Sequence, residues 1–132
     1  MDTTNSENEK NLHVAKSYYS AMLAKDFNTL ASYLHDNVHF MGPLAELQGK
    51  EAVVLAAKNL SQILDNIEIR STFASGNQIM FAYDFSFPTL NLNLRSAVLM
   101  DFKKGQITKI ELFYDGRPFE QKKKEIFVNA KN

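Results

Sequence analysis

The hydrophobic rhythm of the chain changes once, near residue 66. Before that point apolar residues recur three and four apart, and after it they alternate. Leu12, Ala15, Tyr18, Tyr19, Met22 and Leu23 mark one helical face. Ser6 and Glu9 have capping-box spacing, so a helix is predicted from Glu7 to Ala24. Asp26 then caps a second helix, which carries Phe27, Leu30, Ala31 and Leu34 and ends near His35. Asp36-Asn37 reads as a turn, Val38–Met41 as a short strand and Gly42-Pro43 as its stop. Leu44–Gln48 is a connection. A third helix over Lys50–Leu64 carries an apolar stripe of Val53, Ala56, Ala57, Leu60, Ile63 and Leu64.

From Ile67 onward the period is two, the mark of strands with unlike faces. Ile67, Ile69, Ser71 and Phe73 alternate with polar residues up to a Ser75-Gly76-Asn77 turn. Ile79, Phe81, Tyr83, Phe85 and Phe87 then share one face, with Met80, Ala82, Asp84 and Ser86 on the other. After Pro88-Thr89 a long strand over Leu90–Phe102 places Leu92, Leu94, Ser96, Val98, Met100 and Phe102 together. A turn at Lys104-Gly105 leads to the last strand, where Ile110, Leu112 and Tyr114 share a face before Asp115-Gly116.

Helices gathered first and strands gathered last predict an α+β domain. Its four long strands form a meander that twists and curls. Three N-terminal helices on the concave face of this curved antiparallel sheet would enclose a cone-shaped pocket. The chain is read as one domain over residues 1–132, with a flexible tail at 1–5 and a C-terminal extension from about 120 to 132. If Ala82, Asp84 and Ser86 line the interior, the stripe Phe81, Tyr83, Phe85 and Phe87 lies outside and needs a cover. A homodimer through that outer sheet face is the expectation. In the opposite reading the stripe faces the core and Asp84 lies outside.

Composition narrows the partners. The 132 residues carry 15 basic and 15 acidic side chains, a formal charge of zero. Nucleic acid as main partner is therefore not expected, since phosphate binding wants a basic surplus. There is no cysteine, which removes disulfides and thiolate metal sites. His35 and His39 are separated by the Asp36-Asn37 turn, so they cannot form a two-histidine site on one helical face. No metal or cofactor is expected. No apolar run approaches the roughly 20 residues of a membrane span. The polar N-terminus lacks the pattern of a signal peptide, so no membrane partner and a cytoplasmic location are expected. The Lys122–Lys124 run reads as a solvated face.

Several stretches together resemble the nuclear transport factor 2-like superfamily, and within it the SnoaL-like and ketosteroid-isomerase-like branch. They are Tyr18–Asp26, Leu34–Pro43, Gln48–Val53 and Gly105–Asp115. Their order and spacing cover nearly the whole chain. The resemblance implies a deep pocket between helices and sheet and a dimer built from outer sheet faces. It does not imply one activity, because isomerases, cyclases, hydrolases, dehydratases and binding modules share the fold.

The resemblance puts Tyr18 at the position of an oxyanion-binding tyrosine. It also puts Gly42 where a general-base aspartate should precede Pro43, and Val98 where a second acidic donor should lie. Ketosteroid isomerisation in that form is not expected. Asp84, if it faces the cavity, is an acid whose ionised form is disfavoured and which is poised for proton transfer; otherwise it is a strand carboxylate in water or paired with Arg95. Asp115 matches an acid near the strand end in SnoaL-like cyclases, although its parity points away from Tyr114. Its other reading is an Asp-Gly turn residue that satisfies local N–H groups.

The leading expectation is a pocket for a small apolar or aromatic ligand, with a wall that includes Phe40, Ser96, Ile110, Leu112 and Tyr114. Catalysis there would be cofactor-free acid/base chemistry beside a carbonyl, of cyclase, isomerase or dehydratase type. Asp84 or Asp115 would move the proton, and Tyr18 or Tyr114 would donate to the oxygen. The alternative is a non-catalytic module that uses the pocket for a ligand or the sheet for a protein partner.

Overall fold

The structure is a computed structural model, described here over residues 3–122. Three helices pack on one face of a curved, unclosed six-stranded sheet. The elements are α1 (Thr3–Ala24), α2 (Phe27–Ser32), β1 (Leu34–Met41), β2 (Glu46–Gln48), α3 (Lys50–Ser61), β3 (Asn66–Ser75), β4 (Gln78–Phe87), β5 (Leu92–Lys103) and β6 (Gln106–Phe113). A short 3-10 turn at Pro88–Leu90 joins β4 to β5, and a 3-10 segment at Arg117–Lys122 follows β6.

Helix α1 buries Ala15, Tyr18, Tyr19 and Met22, one face at helical spacing. It starts at Thr3, so residues 3–5 of the expected tail are helical and Ser6 lies inside the helix. Its end is a left-handed Lys25 (φ 58°). The Asp26 amide bonds the Ala21 carbonyl at 2.9 Å and the Lys25 amide bonds that of Met22 at 3.1 Å, a Schellman closure. Asp26 then caps α2, its carboxylate accepting from the Thr29 amide at 3.2 Å and the Thr29 hydroxyl at 2.7 Å. Such a cap is worth about 1 kcal/mol.

Helix α2 stops at Ser32, short of His35, because Leu34 already enters β1. The Asp36-Asn37 pair is a slip in the strand: the β1–β6 register shifts between Leu34 and His39. Sheet pairing overrides the local turn preference. Strand β2 was expected as a connection, since three residues carry no readable period; it pairs antiparallel with β1. The Lys122–Lys124 run beyond Lys122, and the extension after it, lie outside the described residues.

The sheet order is β2-β1-β6-β5-β4-β3. Strand β1 runs parallel to β6 and the other pairs are antiparallel, so the sheet is mixed rather than wholly antiparallel. The β5–β6 turn, Lys104-Gly105, has positive φ at both residues (51° and 79°), the geometry a two-residue hairpin requires.

All three helices pack against the concave face, and this corrects the placement of the aromatic stripe. Ile79, Phe81, Tyr83, Phe85 and Phe87 face the helices and are buried within the single chain; Phe81 and Tyr83 are 0% exposed. Tyr19 of α1 packs edge-on to Tyr83 and Phe85, with ring centroids 5.1 and 6.2 Å apart. Burial of the largest apolar residues decides the face of β4, and those residues are not available for a partner.

The uncovered face carries the opposite parity. Its pairing rows run Phe73–Met80–Leu99–Glu111 and Ser71–Ala82–Ala97–Phe113. Phe73 and Phe113 are the exposed large hydrophobic residues among those described, at 63% and 44%.

Candidate functional site

Between helices and sheet lies a cavity of about 70 Å³, measured as the space open to the centre of a water molecule. One water needs roughly 10–15 Å³ on that measure, so the space is several times that of one solvent molecule. Helix α1 supplies Tyr18, Tyr19 and Met22, and α3 supplies Val53, Ala56, Ala57 and Leu60. The sheet supplies Phe40, Phe85, Phe87, Leu94, Ser96, Ile110 and Leu112. Leu44, Tyr114 and Phe119 complete the wall from segments outside the sheet. The period-two faces of β4, β5 and β6 and the helical stripes of α1 and α3 therefore converge on one space.

The polar groups in this wall are hydroxyls. Tyr19 and Tyr83 satisfy each other, oxygen to oxygen at 2.7 Å. The Tyr18 ring stands edge-on to Tyr19 at 5.1 Å. Neither the Tyr18 nor the Tyr114 hydroxyl is hydrogen-bonded among the described residues. The Ser96 hydroxyl reaches the Leu94 carbonyl only at 3.5 Å, the outer limit of a bond. Burial raises the Tyr18 and Tyr19 phenols far above their ordinary range. Tyr114 is pushed up to about 12 by the same desolvation. All three stay neutral near pH 7 and can donate or accept one hydrogen bond.

No carboxylate, imidazole or amine lines the cavity among the described residues. Asp84, expected as an internal acid, lies on the other face of β4. It is 8% exposed, a buried charged group paired with arginine. Arg70 Nε donates to Asp84 Oδ1 at 3.0 Å, and Arg95 Nε stands 4.0 Å from the same oxygen. Arg70 sits at the register shift of β3, and Arg95 is the direct cross-strand partner of Asp84.

Asp115 also lies outside the cavity. Its Oδ1 accepts from the Arg117 amide at 3.0 Å, and its Oδ2 accepts from Arg117 Nη2 at 2.6 Å. These bonds from Arg117 lower its carboxyl to about 2. It is a turn former, and proton transfer inside the cavity by either aspartate is set aside on geometry. Phe40, Ser96, Ile110, Leu112 and Tyr114 are on the wall, as is Tyr18. Gly42 carries no side chain, and Val98 is 0% exposed in the core.

Sequence reasoning did not single out Phe119, Leu44 or the Tyr19–Tyr83 pair. Phe119 is the large apolar residue after an Asp-Gly-Arg-Pro turn, a signal that was present. The tyrosine pair joins residues far apart in the chain and left none.

Among solved structures the chain is similar to an NTF2-like protein of unknown function from Cytophaga hutchinsonii, at 20% identity over 83% of this chain and 93% of that one, TM-score 0.73. An LEH-like epoxide hydrolase of M. tuberculosis matches at 12% identity, covering 94% and 93%, TM-score 0.74. A steroid delta-isomerase from Pseudomonas aeruginosa matches at 15%, covering 90% and 89%, TM-score 0.72. At these identities the likeness shows the fold alone. No curated protein matches in sequence. The SnoaL-like domain model matches residues 15–110, which takes in the chain from the tyrosines of α1 to the wall residue Ile110, and the chain belongs to the SnoaL-like family.

Proposed function

We propose that this domain binds a small, uncharged, largely apolar molecule carrying one oxygen acceptor, such as a ketone, in the cavity under α1 and α3. The carrying observation is the chemistry of the wall: among the described residues it consists of apolar side chains with two phenols, Tyr18 and Tyr114, that have no hydrogen-bond partner, and no ionisable group that could act near pH 7. A carboxylate or ammonium ligand would lose its hydration with no counter-charge in return. A neutral carbonyl loses little and gains a phenol donor. The same wall supports a binding role over acid/base turnover, because the aspartates that would move a proton are both engaged by arginine elsewhere.

The test is a matched pair of ligands, acetylnaphthalene and ethylnaphthalene, titrated by calorimetry into wild type and Tyr18→Phe. The ketone should lose about two- to tenfold in affinity in the variant, the worth of one hydrogen bond. The hydrocarbon should not change. Equal affinities for both ligands in both proteins would remove the phenol from recognition, and absence of binding would remove the proposal.

For self-association, the outer sheet face takes the place of the aromatic stripe. Phe73 and Phe113 flank Met80, Ala82, Ala97 and Leu99 there, an apolar centre between charged ends at Asp84–Arg95 and Asp101–Lys109. That layout is that of an interface core with a polar rim. Phe113→Asp should convert a dimer mass in light scattering to a monomer mass; a wild-type monomer at high concentration would overturn this reading.

A further inference from the structure

We propose that the Arg117–Lys122 segment is a hinged strap that gates entry to the cavity, with Phe119 as its latch. This rests on the binding role above and concerns how a ligand reaches that site.

Most of the wall is held in place twice over. The residues of α1, α3 and the strands cannot leave without breaking a helix packing or a sheet ladder. The strap is different. The ladder of β6 ends at Phe113, and past that point Phe119 is the one buried side chain among the described residues. Asp115, Arg117, Pro118, Glu120 and Gln121 are exposed, whereas Phe119 is 3% exposed and faces the cavity. Phe119 meets Tyr114 edge-on at 6.2 Å and Phe87 at 5.0 Å. Phe87 belongs to β4, two strands from β6, so the strap carries its anchor back across the concave face.

The hinge is also visible. Asp115 folds the chain back by accepting from the amide and guanidinium of Arg117. Gly116 lets the backbone pass close to the β1–β2 loop. A Cβ there would stand 3.0 Å from Leu44 Cδ2 and 3.3 Å from Pro43 Cβ. Leu44 is itself a wall residue, so the hinge touches the cavity rim while Asp115 touches nothing inside it.

A segment whose one buried anchor among the described residues is Phe119 opens locally at a cost below global unfolding. Release of Phe119 removes part of the cavity wall and widens the way in without disturbing the sheet. The apparent association rate is then the intrinsic rate reduced by the open fraction. Asp115 acts as a positioning residue, since it sets the turn that delivers Phe119.

Stopped-flow mixing with acetylnaphthalene, read by quenching of tyrosine emission, tests this. Phe119→Ala should raise the association rate constant about ten- to a hundredfold, the equilibrium weight of one buried phenylalanine. Asp115→Ala should raise it roughly two- to fivefold, and Asp115→Asn, which keeps the turn acceptor, should restore it. Leu60→Ala removes wall area from α3 and should change the dissociation rate alone. An unchanged association rate constant in Phe119→Ala, with only faster dissociation, would overturn the gate and leave the binding site standing. Failure of every protein, wild type included, to bind the ketone would overturn the site and the gate together.

Discussion

The Tyr19–Tyr83 pair offers the sharpest check on the packing argument. Each hydroxyl is the hydrogen-bond partner of the other at 2.7 Å, across the boundary between α1 and β4. Replacing either tyrosine by phenylalanine keeps the edge-on ring contact at 5.1 Å and deletes one oxygen. The remaining hydroxyl loses its partner in a low-dielectric interior, which costs about 1–3 kcal/mol. The two single changes are not equivalent. Tyr83 is 0% exposed and off the cavity wall, whereas Tyr19 lines the cavity. Tyr19→Phe therefore strands the Tyr83 oxygen and belongs near ~3 kcal/mol, while Tyr83→Phe lets Tyr19 find cavity water and belongs near ~1 kcal/mol. The double variant removes donor and acceptor together and should cost under ~1 kcal/mol more than wild type, a coupling of opposite sign to additivity. Urea unfolding followed by far-ultraviolet circular dichroism measures all four proteins, with equal denaturant slopes as the condition for comparison. Strictly additive single changes, or a double variant weaker than both singles, would refute the pair as a coupled unit.

Asp84→Asn should cost about 1–2 kcal/mol, because Arg70 and Arg95 are 35% and 78% exposed at the side chain and can hydrate when the charge is lost. It should leave acetylnaphthalene affinity unchanged in calorimetry; a large loss of affinity would return Asp84 to the site. The buried phenols predict an alkaline limit. Their folded-state values lie above the unfolded value near 10, so their neutral-form stability is complete below about pH 10 and is lost as pH rises towards about 12, the value for Tyr114. Tyrosinate absorbance from Tyr18, Tyr19, Tyr83 and Tyr114 should therefore appear together with loss of the circular dichroism signal. Ionisation of all tyrosines near pH 10 with the fold intact would contradict their burial.

Much of this fold is legible in the residue pattern. The three helices and four long strands follow from the change of period near residue 66, and Ile110, Leu112 and Tyr114 lie on the face the alternation assigns them. What misled was the choice of inside at β4. Alternation identifies two faces but not which is buried, so it leaves Asp84 readable as inside or outside. Residue size decides it: five large apolar side chains outweigh one carboxylate. The charge pattern pointed the same way, since Arg95 opposes Asp84 across the β4–β5 ladder. Strand β2 is too short for a period, and the short helix α2 yields to a pairing with β6 that no local signal announces. The phenol pair and the Phe119 anchor depend on contacts between distant segments, and local sequence preference carries no record of them.

The order of strands has a consequence for how the molecule is made. Among the described residues the first strand takes its place beside the last one: Phe40 pairs with Ile110. During synthesis β3, β4 and β5 can zip as neighbours while β1 and β2 wait. Until β6 emerges, the sheet exists as two pieces with nothing between them, each with a raw hydrogen-bonding edge. Closure of so long a loop is slow, and unpaired edges invite association with other chains. The last strand is therefore a keystone in time as well as in space. A truncation that removes it should abolish folding outright rather than weaken it, and newly made chains are most vulnerable to aggregation just before it arrives.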